Sequence, residues 1–153
     1  MGKRREGREA AVQFLYQVDL NGDKPDALFP AFWDLRSGGG KQPSTAKTRS
    51  FAEQLVAGVT AHHAEIDATI KKSVVNYDLH RISAVDRNIL RLAIYEMLHS
   101  PEVPPVVAIN EAIEIAKRFG NEESGRFING ILDRVRTELS RPAREAASDP
   151  AKH

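Results

Sequence analysis

The residues with the clearest chemical potential are cations near the start of the chain. Residues 3–9 hold four cations and two anions, and the cations are Lys3, Arg4, Arg5 and Arg8. Guanidinium groups pair bidentately with phosphate and stack on flat rings. At helical spacing the three arginines can share one face. Composition alone favours a solvated, frayed terminus, so a phosphate-binding surface needs support from other features.

Several spacings that resemble enzyme motifs are incomplete. Glu96-x-x-His99 has the spacing of helical di-iron proteins, but the second such motif that they require is missing. Ser44-x-x-Lys47 has the spacing of the serine β-lactamase nucleophile without its companion motifs. Gln42, rather than Ser or Thr, follows the glycines and Lys41, which excludes a phosphate-binding P-loop. We therefore predict no enzyme, no catalytic residue, no cofactor and no metal site.

The bulk composition is that of an ordinary globular protein. Of 153 residues, 41% are hydrophobic and 28% are charged, which predicts one domain with a substantial core. No apolar run approaches the ~20 residues of a membrane span, and the charged N-terminus lacks a signal peptide's apolar stretch. The absence of cysteine excludes disulfides and suits the cytoplasm. Because the net charge is +1, affinity for a polyanion must come from a local patch.

Hydrophobic periodicity predicts seven helices and no strand. The first four cover residues 4–20, 26–35, about 45–62 and about 64–75. Ser44 or Thr45 is the expected N-cap of the third helix, and Ser83 caps the fifth with Asp86 at its third position. Apolar residues nearly encircle the fifth helix, which predicts that it lies in the centre of the fold.

Residues 103–135 predict two further helices separated by a sharp break. Pro104 and Pro105 suit a helix start, because their fixed φ fits the first turn. Gly120 suits the helix end, since glycine tolerates the left-handed C-cap conformation. Apolar stripes predict which side chains of the third, sixth and seventh helices face inward. They are Phe51, Leu55, Val56 and Val59; Val107, Ile109, Ile113 and Ala116; and Phe127, Ile128, Ile131, Leu132 and Val135.

Three segments carry a combined pattern that is more specific than any short motif. The C-terminal segment contains Val107–Glu114, Ala116-Lys117, Phe119-Gly120, Ser124 and Phe127–Asp133. The N-terminal one contains Arg4-Arg5, Arg8-Glu9, Ala11–Gln13 and Leu15-Tyr16, and the middle one Val85–Arg87, Leu90-Arg91 and Ala93–Glu96. Together they resemble the NusB family of bacterial transcription antitermination factors. The resemblance spans about residues 4–138, but residues 23–48 show no family pattern.

The resemblance implies an all-α fold with about seven helices in two helical subdomains. We expect a single NusB-like domain over residues 1–141, with an N-terminal bundle at about 4–75 and a C-terminal bundle at about 83–138. Residues 142–153 are polar and alanine-rich, which predicts a flexible tail. Periodicity supports the helices but does not by itself give this topology.

The resemblance also implies RNA binding by the arginine-rich end of the first helix. Residues at or beside the implied RNA path are Lys3, Arg4, Arg5, Arg8, Tyr16, Arg126 and Phe127. Single-stranded RNA is read by stacking unpaired bases on aromatic and arginine planes. For Phe127 a core position is the alternative. Glu123 adjoins this patch, and its charge is expected to weaken binding by repelling phosphate.

The function that the resemblance implies is transcription antitermination. The protein would bind the boxA element of ribosomal RNA leaders together with ribosomal protein S10 (NusE), as part of an RNA polymerase antitermination complex. Asp86 and Glu96 would meet basic residues of S10. Rim salt bridges are the simpler interpretation of these two residues and of Arg91. A homodimer is left open.

Two other functions are alternatives to this hypothesis. One is a protein–protein adaptor without specific RNA binding. The other is a relative of the NusB-like RNA-binding domain that is fused to ribosomal RNA cytosine methyltransferases. Against the second, no Rossmann-like domain follows and the chain has no cysteine nucleophile. The adaptor is distinguished by its RNA affinity, which would show no sequence preference and no characteristic loss with salt.

Overall fold

The computed structural model describes residues 2–21, 25–37, 45–74 and 79–139. These residues form helices and connecting turns without a strand, which confirms the predicted all-α class. The helices are α1 Gly2–Asn21, α2 Pro25–Ser37, α3 Ala46–Ala61, α4 His63–Ser73, α5 Ala84–His99, α6 Pro105–Phe119 and α7 Ser124–Thr137, with a 3₁₀ turn at Leu79–Arg81. Within this described part, none of the helices combines the length and the apolar character that crossing a bilayer requires.

Packing divides the chain into two compact units, residues 1–61 and residues 62–153. Helices α1 to α3 form the first unit, and α4 to α7 belong to the second. By resemblance, residues 64–75 are expected in the N-terminal bundle, whereas α4 packs against α5 and α7. The reason is that Ile66 and Ile70 on α4 are fully buried on this side. The organisation as a single domain with two bundles stays a prediction.

The first unit has an aromatic core between α1 and α2. The ring of Phe14 stacks on Phe29 with centroids 4.5 Å apart and meets Phe32 edge-on at 5.2 Å. On its other side α1 approaches α3 closely at Gly7, where a Cβ atom would lie 2.6 Å from Cδ2 of Phe51. A side chain at position 7 would therefore displace the Phe51 ring.

Three helices begin where the local sequence predicts. The Thr48 N–H donates to Oγ1 of Thr45 at 3.1 Å, which caps α3. The Asp86 N–H donates to Oγ of Ser83 at 3.2 Å, which caps α5. Helix α6 begins at Pro105, where a missing N–H leaves no helical acceptor unpaired. These three helix starts are confirmed. The local sequence could predict them because each depends on residues within one turn of the start.

Helix α5 is the centre of the second unit, as predicted, and packs against α4, α6 and α7. Its Ile89, Leu90, Ile94 and Met97 side chains are almost fully buried. Arg91 is also buried, and its guanidinium donates two hydrogen bonds to the Asp67 carboxylate. Nε lies 2.9 Å from Oδ1, and Nη2 lies 3.1 Å from Oδ2. The interpretation of Arg91 as a rim salt bridge is therefore wrong.

Gly120 ends α6, but for a reason other than the predicted one. Its φ of −93° and ψ of −171° are extended, so the expectation of a left-handed C-cap is wrong. A Cβ atom at this position would lie 2.4 Å from Oγ of Ser124 and 2.9 Å from the Ala116 carbonyl oxygen. Glycine is required here because α7 packs directly over the end of α6.

Candidate nucleic-acid interface

In the first unit, two arginines of α1 lie over an aromatic ring of α3. The guanidinium carbon of Arg4 is 4.9 Å from the ring centroid of Phe51, and that of Arg8 is 5.5 Å away. These distances are those of cation–π contacts. The apolar stripe predicts that Phe51 faces inward, but the residue is only half-buried. Part of the ring therefore belongs to the surface that the arginines form.

An open pocket of about 240 Å³ lies beside this ring, lined by Arg4, Lys47, Thr48 and Phe51. Pockets for drug-sized ligands measure roughly 300–1,000 Å³, so this one suits a single small planar group or anion. Sequence reasoning missed Lys47 and Phe51 as candidates. Their i,i+4 spacing places them side by side on α3, and this was the available signal.

The cations of α1 differ in how much surface they offer. Arg4 is exposed, Arg5 is half-buried, and Arg8 is only 5% exposed. Arg8 is thus better placed to hold the neighbouring ring than to present a guanidinium to phosphate. The side chain of Lys3 lies outside the described residues. Tyr16 is 37% exposed and lies about three turns after Arg5, so both residues fall along one line of the helix.

In the second unit, two polar residues fix the turn between α6 and α7. Oγ of Ser124 accepts the Asn121 N–H at 3.0 Å and donates to Oδ1 of Asn121 at 3.3 Å. The same Oδ1 accepts the N–H of Glu123 at 2.9 Å. Ser124 is buried, so its hydroxyl is held within the protein. This network determines where α7 begins and which side chains its first turn presents.

The first turn of α7 presents an acid, a base and an aromatic ring. Glu123 and Arg126 are exposed, and Phe127 is half-buried, whereas Ile128 is fully buried. Phe127 therefore stands at the edge of the apolar stripe that was predicted to include it. The candidate RNA residues fall into two groups: Arg4, Arg5, Arg8 and Tyr16 in the first unit, and Arg126, Phe127 and the modulating Glu123 in the second.

The two candidate contacts to a protein partner are both buried. Glu96 is 2% exposed, so this arrangement offers its carboxylate no surface at which to meet a basic partner residue. Asp86 is 7% exposed, and its Oδ1 atom is buried without a hydrogen-bond partner among the described residues. Leaving a buried carboxylate oxygen unsatisfied costs free energy, which a hydrogen-bond donor would recover. Asp86 thus has an open acceptor, and the assignment of Asp86 and Glu96 as partner contacts stays a prediction.

Known proteins resemble this chain over nearly its whole length. The sequence model of the NusB family matches residues 5–137. The transcription antitermination protein NusB of Sorangium cellulosum is 41% identical over 145 residues, which cover 95% of this chain and 99% of that protein. The corresponding protein of Desulforapulum autotrophicum is 46% identical over 136 residues, covering 89% of this chain and 92% of its own length.

Solved structures of NusB proteins are also similar to this chain. NusB of T. maritima superposes with a TM-score of 0.79 at 36% identity, over 90% of this chain and 93% of that one. A crystal structure of the antitermination factors NusB and NusE in complex with dsRNA gives a TM-score of 0.78 at 27% identity, over 91% and 99% of the two chains. Sequence and structure thus agree along the full set of helices, and the chain belongs to the NusB family.

Proposed function

We propose that this chain is a non-enzymatic transcription antitermination factor that binds boxA-type single-stranded RNA together with ribosomal protein S10. The observation that carries the proposal is the end-to-end similarity to relatives named as transcription antitermination proteins. The structural similarity to a NusB chain crystallised with NusE and dsRNA adds support for both partners. Such a factor acts beside RNA polymerase in the bacterial cytoplasm.

In the mechanism that we propose, some residues supply affinity for RNA and others supply selectivity. Exposed arginines, Arg4 in the first unit and Arg126 in the second, neutralise phosphates and release counterions, which makes binding salt-dependent. Partly exposed rings, Tyr16 and Phe127, stack on unpaired bases. The pocket beside Phe51 adds a place for one base or phosphate next to the Arg4 guanidinium. Each contact is weak by itself, so selectivity comes from their combination.

S10 contributes by extending the RNA surface, so that the pair binds RNA more tightly than either protein does alone. This gain is a coupling free energy, and it must be reciprocal. RNA should therefore tighten S10 binding by the same factor. On this chain we propose Asp86, with its unsatisfied carboxylate oxygen, as a contact to a basic residue of S10. Glu96 is the weaker candidate because of its burial.

Fluorescence anisotropy tests the proposal with a labelled boxA-type RNA, a scrambled RNA as control, and titrations with and without S10 at two salt concentrations. We expect sequence-preferring binding that S10 tightens. Arg4→Gln should weaken binding and reduce the salt slope by about 0.7, the value for one phosphate contact on a single strand. Lys71→Gln is the matched control, because it removes one exposed cation from α4. Equal losses in both variants would show that only net charge matters.

Glu123 gives a second test of the RNA path. Glu123→Gln should strengthen RNA binding several-fold, since it removes a charge that repels phosphate. Glu122→Gln is the control, because Glu122 is the adjacent exposed acid. Unchanged or weaker affinity in Glu123→Gln would contradict the placement of RNA beside α7. If neither RNA nor S10 produces sequence-preferring binding, the protein–protein adaptor becomes the better hypothesis.

A further inference from the structure

Three side chains of the second unit converge on one point apart from the surfaces described above. They are His62, Glu65 and His99, whose ligand atoms lie within 4.8 Å of one another. Oε1 of Glu65 is 2.5 Å from Nε2 of His99 and 3.8 Å from Nδ1 of His62. We propose that this cluster binds a divalent transition-metal ion of the Zn²⁺ type through two imidazole nitrogens and one carboxylate oxygen.

Two helix ends hold these ligands in place. His62 directly precedes α4, and its carbonyl oxygen accepts the N–H of Ile66 at 3.0 Å. Glu65 follows three residues later, so both side chains lie on the same side of the first turn. His99 is the last residue of α5, where the N–H of Ser100 donates to the Glu96 carbonyl oxygen at 3.0 Å. The three ligands therefore come from two helices that pack together. Glu65 on α4 and His99 on α5 are 34 residues apart in the sequence.

The geometry of the cluster brings the two imidazole rings together beside the carboxylate. The rings of His62 and His99 stack with centroids 3.8 Å apart and planes inclined by 18°. A divalent ion at this point would meet one ligand atom from each of the three side chains, since these atoms lie within 4.8 Å of one another. The nitrogen lone pairs lie within these two nearly parallel ring planes, and the His62 side chain, which is 42% exposed, has room to adjust toward an ion.

The donor set indicates the class of metal. Mg²⁺ and Ca²⁺ take oxygen ligands, whereas imidazole suits Zn²⁺, Ni²⁺ and Cu²⁺. Two histidines and one glutamate leave a fourth tetrahedral position for water or a ligand from outside. The ring of Tyr95 lies 5.7 Å from that of His99 and 6.1 Å from that of His62. Tyr95 thus lies beside both imidazoles.

The spacing Glu96-x-x-His99 is compatible with a metal site that uses the Glu96 carboxylate. In the structure the carboxylate beside His99 is that of Glu65. Glu96 is almost fully buried in the unit, whereas His99 pairs with Glu65 from α4. Periodicity places His62 and His63 at a helix end without distinguishing them. In the structure His63 turns to Asp67 instead, with Nε2 3.4 Å from Oδ2. The two adjacent histidines thus differ: His62 is a candidate ligand, and His63 lies outside the cluster.

Isothermal titration of the tag-free, full-length protein with ZnCl₂ tests the proposal. We expect one saturable site, and His62→Gln and His99→Gln should each weaken it by at least about tenfold, because removing a ligand costs no less than removing its outer partner. His63→Gln is the matched control and should bind as the unaltered protein does. Co²⁺ should give visible absorption bands that Zn²⁺ abolishes on displacing it.

Two outcomes would overturn the site. One is the absence of saturable binding. The other is an equal loss in His63→Gln and His99→Gln, which would mean non-specific binding by surface histidines. Circular dichroism shows whether each variant is folded. If His99→Gln does not fold, Glu65→Gln replaces it, since its exposed side chain allows substitution at little cost in stability. Unchanged Zn²⁺ affinity in a folded Glu65→Gln variant would also contradict the proposal.

Discussion

Replacing Asp67 by asparagine should destabilise the second unit strongly. The Asp67 carboxylate accepts two hydrogen bonds from the buried guanidinium of Arg91, in a bidentate arrangement. Oδ1 of Asn88 accepts a third hydrogen bond from Arg91 at 3.2 Å but carries no charge. Asparagine retains one acceptor at position 67 and loses the negative charge. The variant therefore removes the carboxylate charge that faces a guanidinium only 8% exposed.

The size of the effect follows from this burial. Removing one partner of a buried ion pair costs about 3–5 kcal/mol, whereas exposed pairs contribute about 0–1 kcal/mol. Because asparagine still accepts one hydrogen bond, we expect a loss near the lower limit, about 3 kcal/mol. In a chain of this size each kcal/mol lowers Tm by roughly 2–4 °C, so Tm should fall by roughly 6–12 °C.

Urea unfolding followed by circular dichroism measures this loss directly. Asp133→Asn is the matched control, because the same substitution there removes an exposed pair with Arg136 on α7. The single tryptophan, Trp33, lies in the first unit, so its fluorescence reports on that unit separately. We expect a large shift of the dichroism midpoint for Asp67→Asn and a small one for Asp133→Asn.

The reasoning is refuted if Asp67→Asn and Asp133→Asn lose stability equally and by less than about 1 kcal/mol. A double variant supplies the second check. Combining Asp67→Asn with Arg91→Met should recover much of the loss, since the guanidinium that has lost this carboxylate is then removed as well. If the two losses simply add, the single-variant effect comes from packing and not from the ion pair.

Two further predictions concern other contacts of the second unit. Gly120→Ala should lower the free energy of unfolding by roughly 1–3 kcal/mol, because its Cβ would meet Ser124 and a carbonyl oxygen, and urea unfolding measures this. Unchanged stability would mean that α7 moves aside freely. Burial, and then the charges of Glu102 and Glu96, raise the pKa of Tyr95. Its contribution to stability is therefore present below the ordinary pKa of about 10 and is lost as pH rises through the raised value. Tyr95→Phe should lose less stability than the unaltered protein in alkaline denaturation, and parallel losses would contradict this.

Features that depend on neighbours in the sequence could be predicted correctly. The N-caps at Thr45 and Ser83 and the start at Pro105 each involve residues within one turn. Apolar residues on most sides of α5 likewise predict its central place, because a helix that is apolar on most sides is stabilised by burial. These signals fix the helices without reference to the rest of the chain.

Features that depend on distant residues could not be read in the same way. Val107 belongs to the predicted stripe of α6 but is exposed, while Ala108 and Ile115 are buried. The buried face of α6 is therefore rotated from the predicted stripe, because its contacts with α5 and α7 decide which side chains are covered. Arg91 is a similar case, since its burial depends on Asp67 from another helix. Gly120 is a third, because its constraint is the closeness of Ser124 and not its own φ.

The candidate site also combines a local feature that the sequence predicts with a distant contact that it does not. The sequence identifies the cations of α1, but the ring beneath Arg4 belongs to α3 and is 47 residues away at Phe51. An apolar stripe predicts that such a ring is buried. Periodicity gives the side of the helix on which a residue lies, but not how much of its side chain the neighbouring helix covers. The half-buried state of Phe51 depends on Gly7, whose missing side chain allows the close approach. Only the packed helices reveal this combination.

The turn between α6 and α7 explains why a family pattern predicts the fold better than it predicts the contacts. Buried Ser124 packs against half-buried Gly120, so a change at either disturbs the way in which α7 leaves α6. Glu123 and Arg126 are exposed on the same turn, so a change there alters the charge presented to a partner at little cost in stability. RNA preference can therefore vary while the fold stays the same. Binding measurements on exposed positions, made on a turn that buried positions hold fixed, are what identify the contacts.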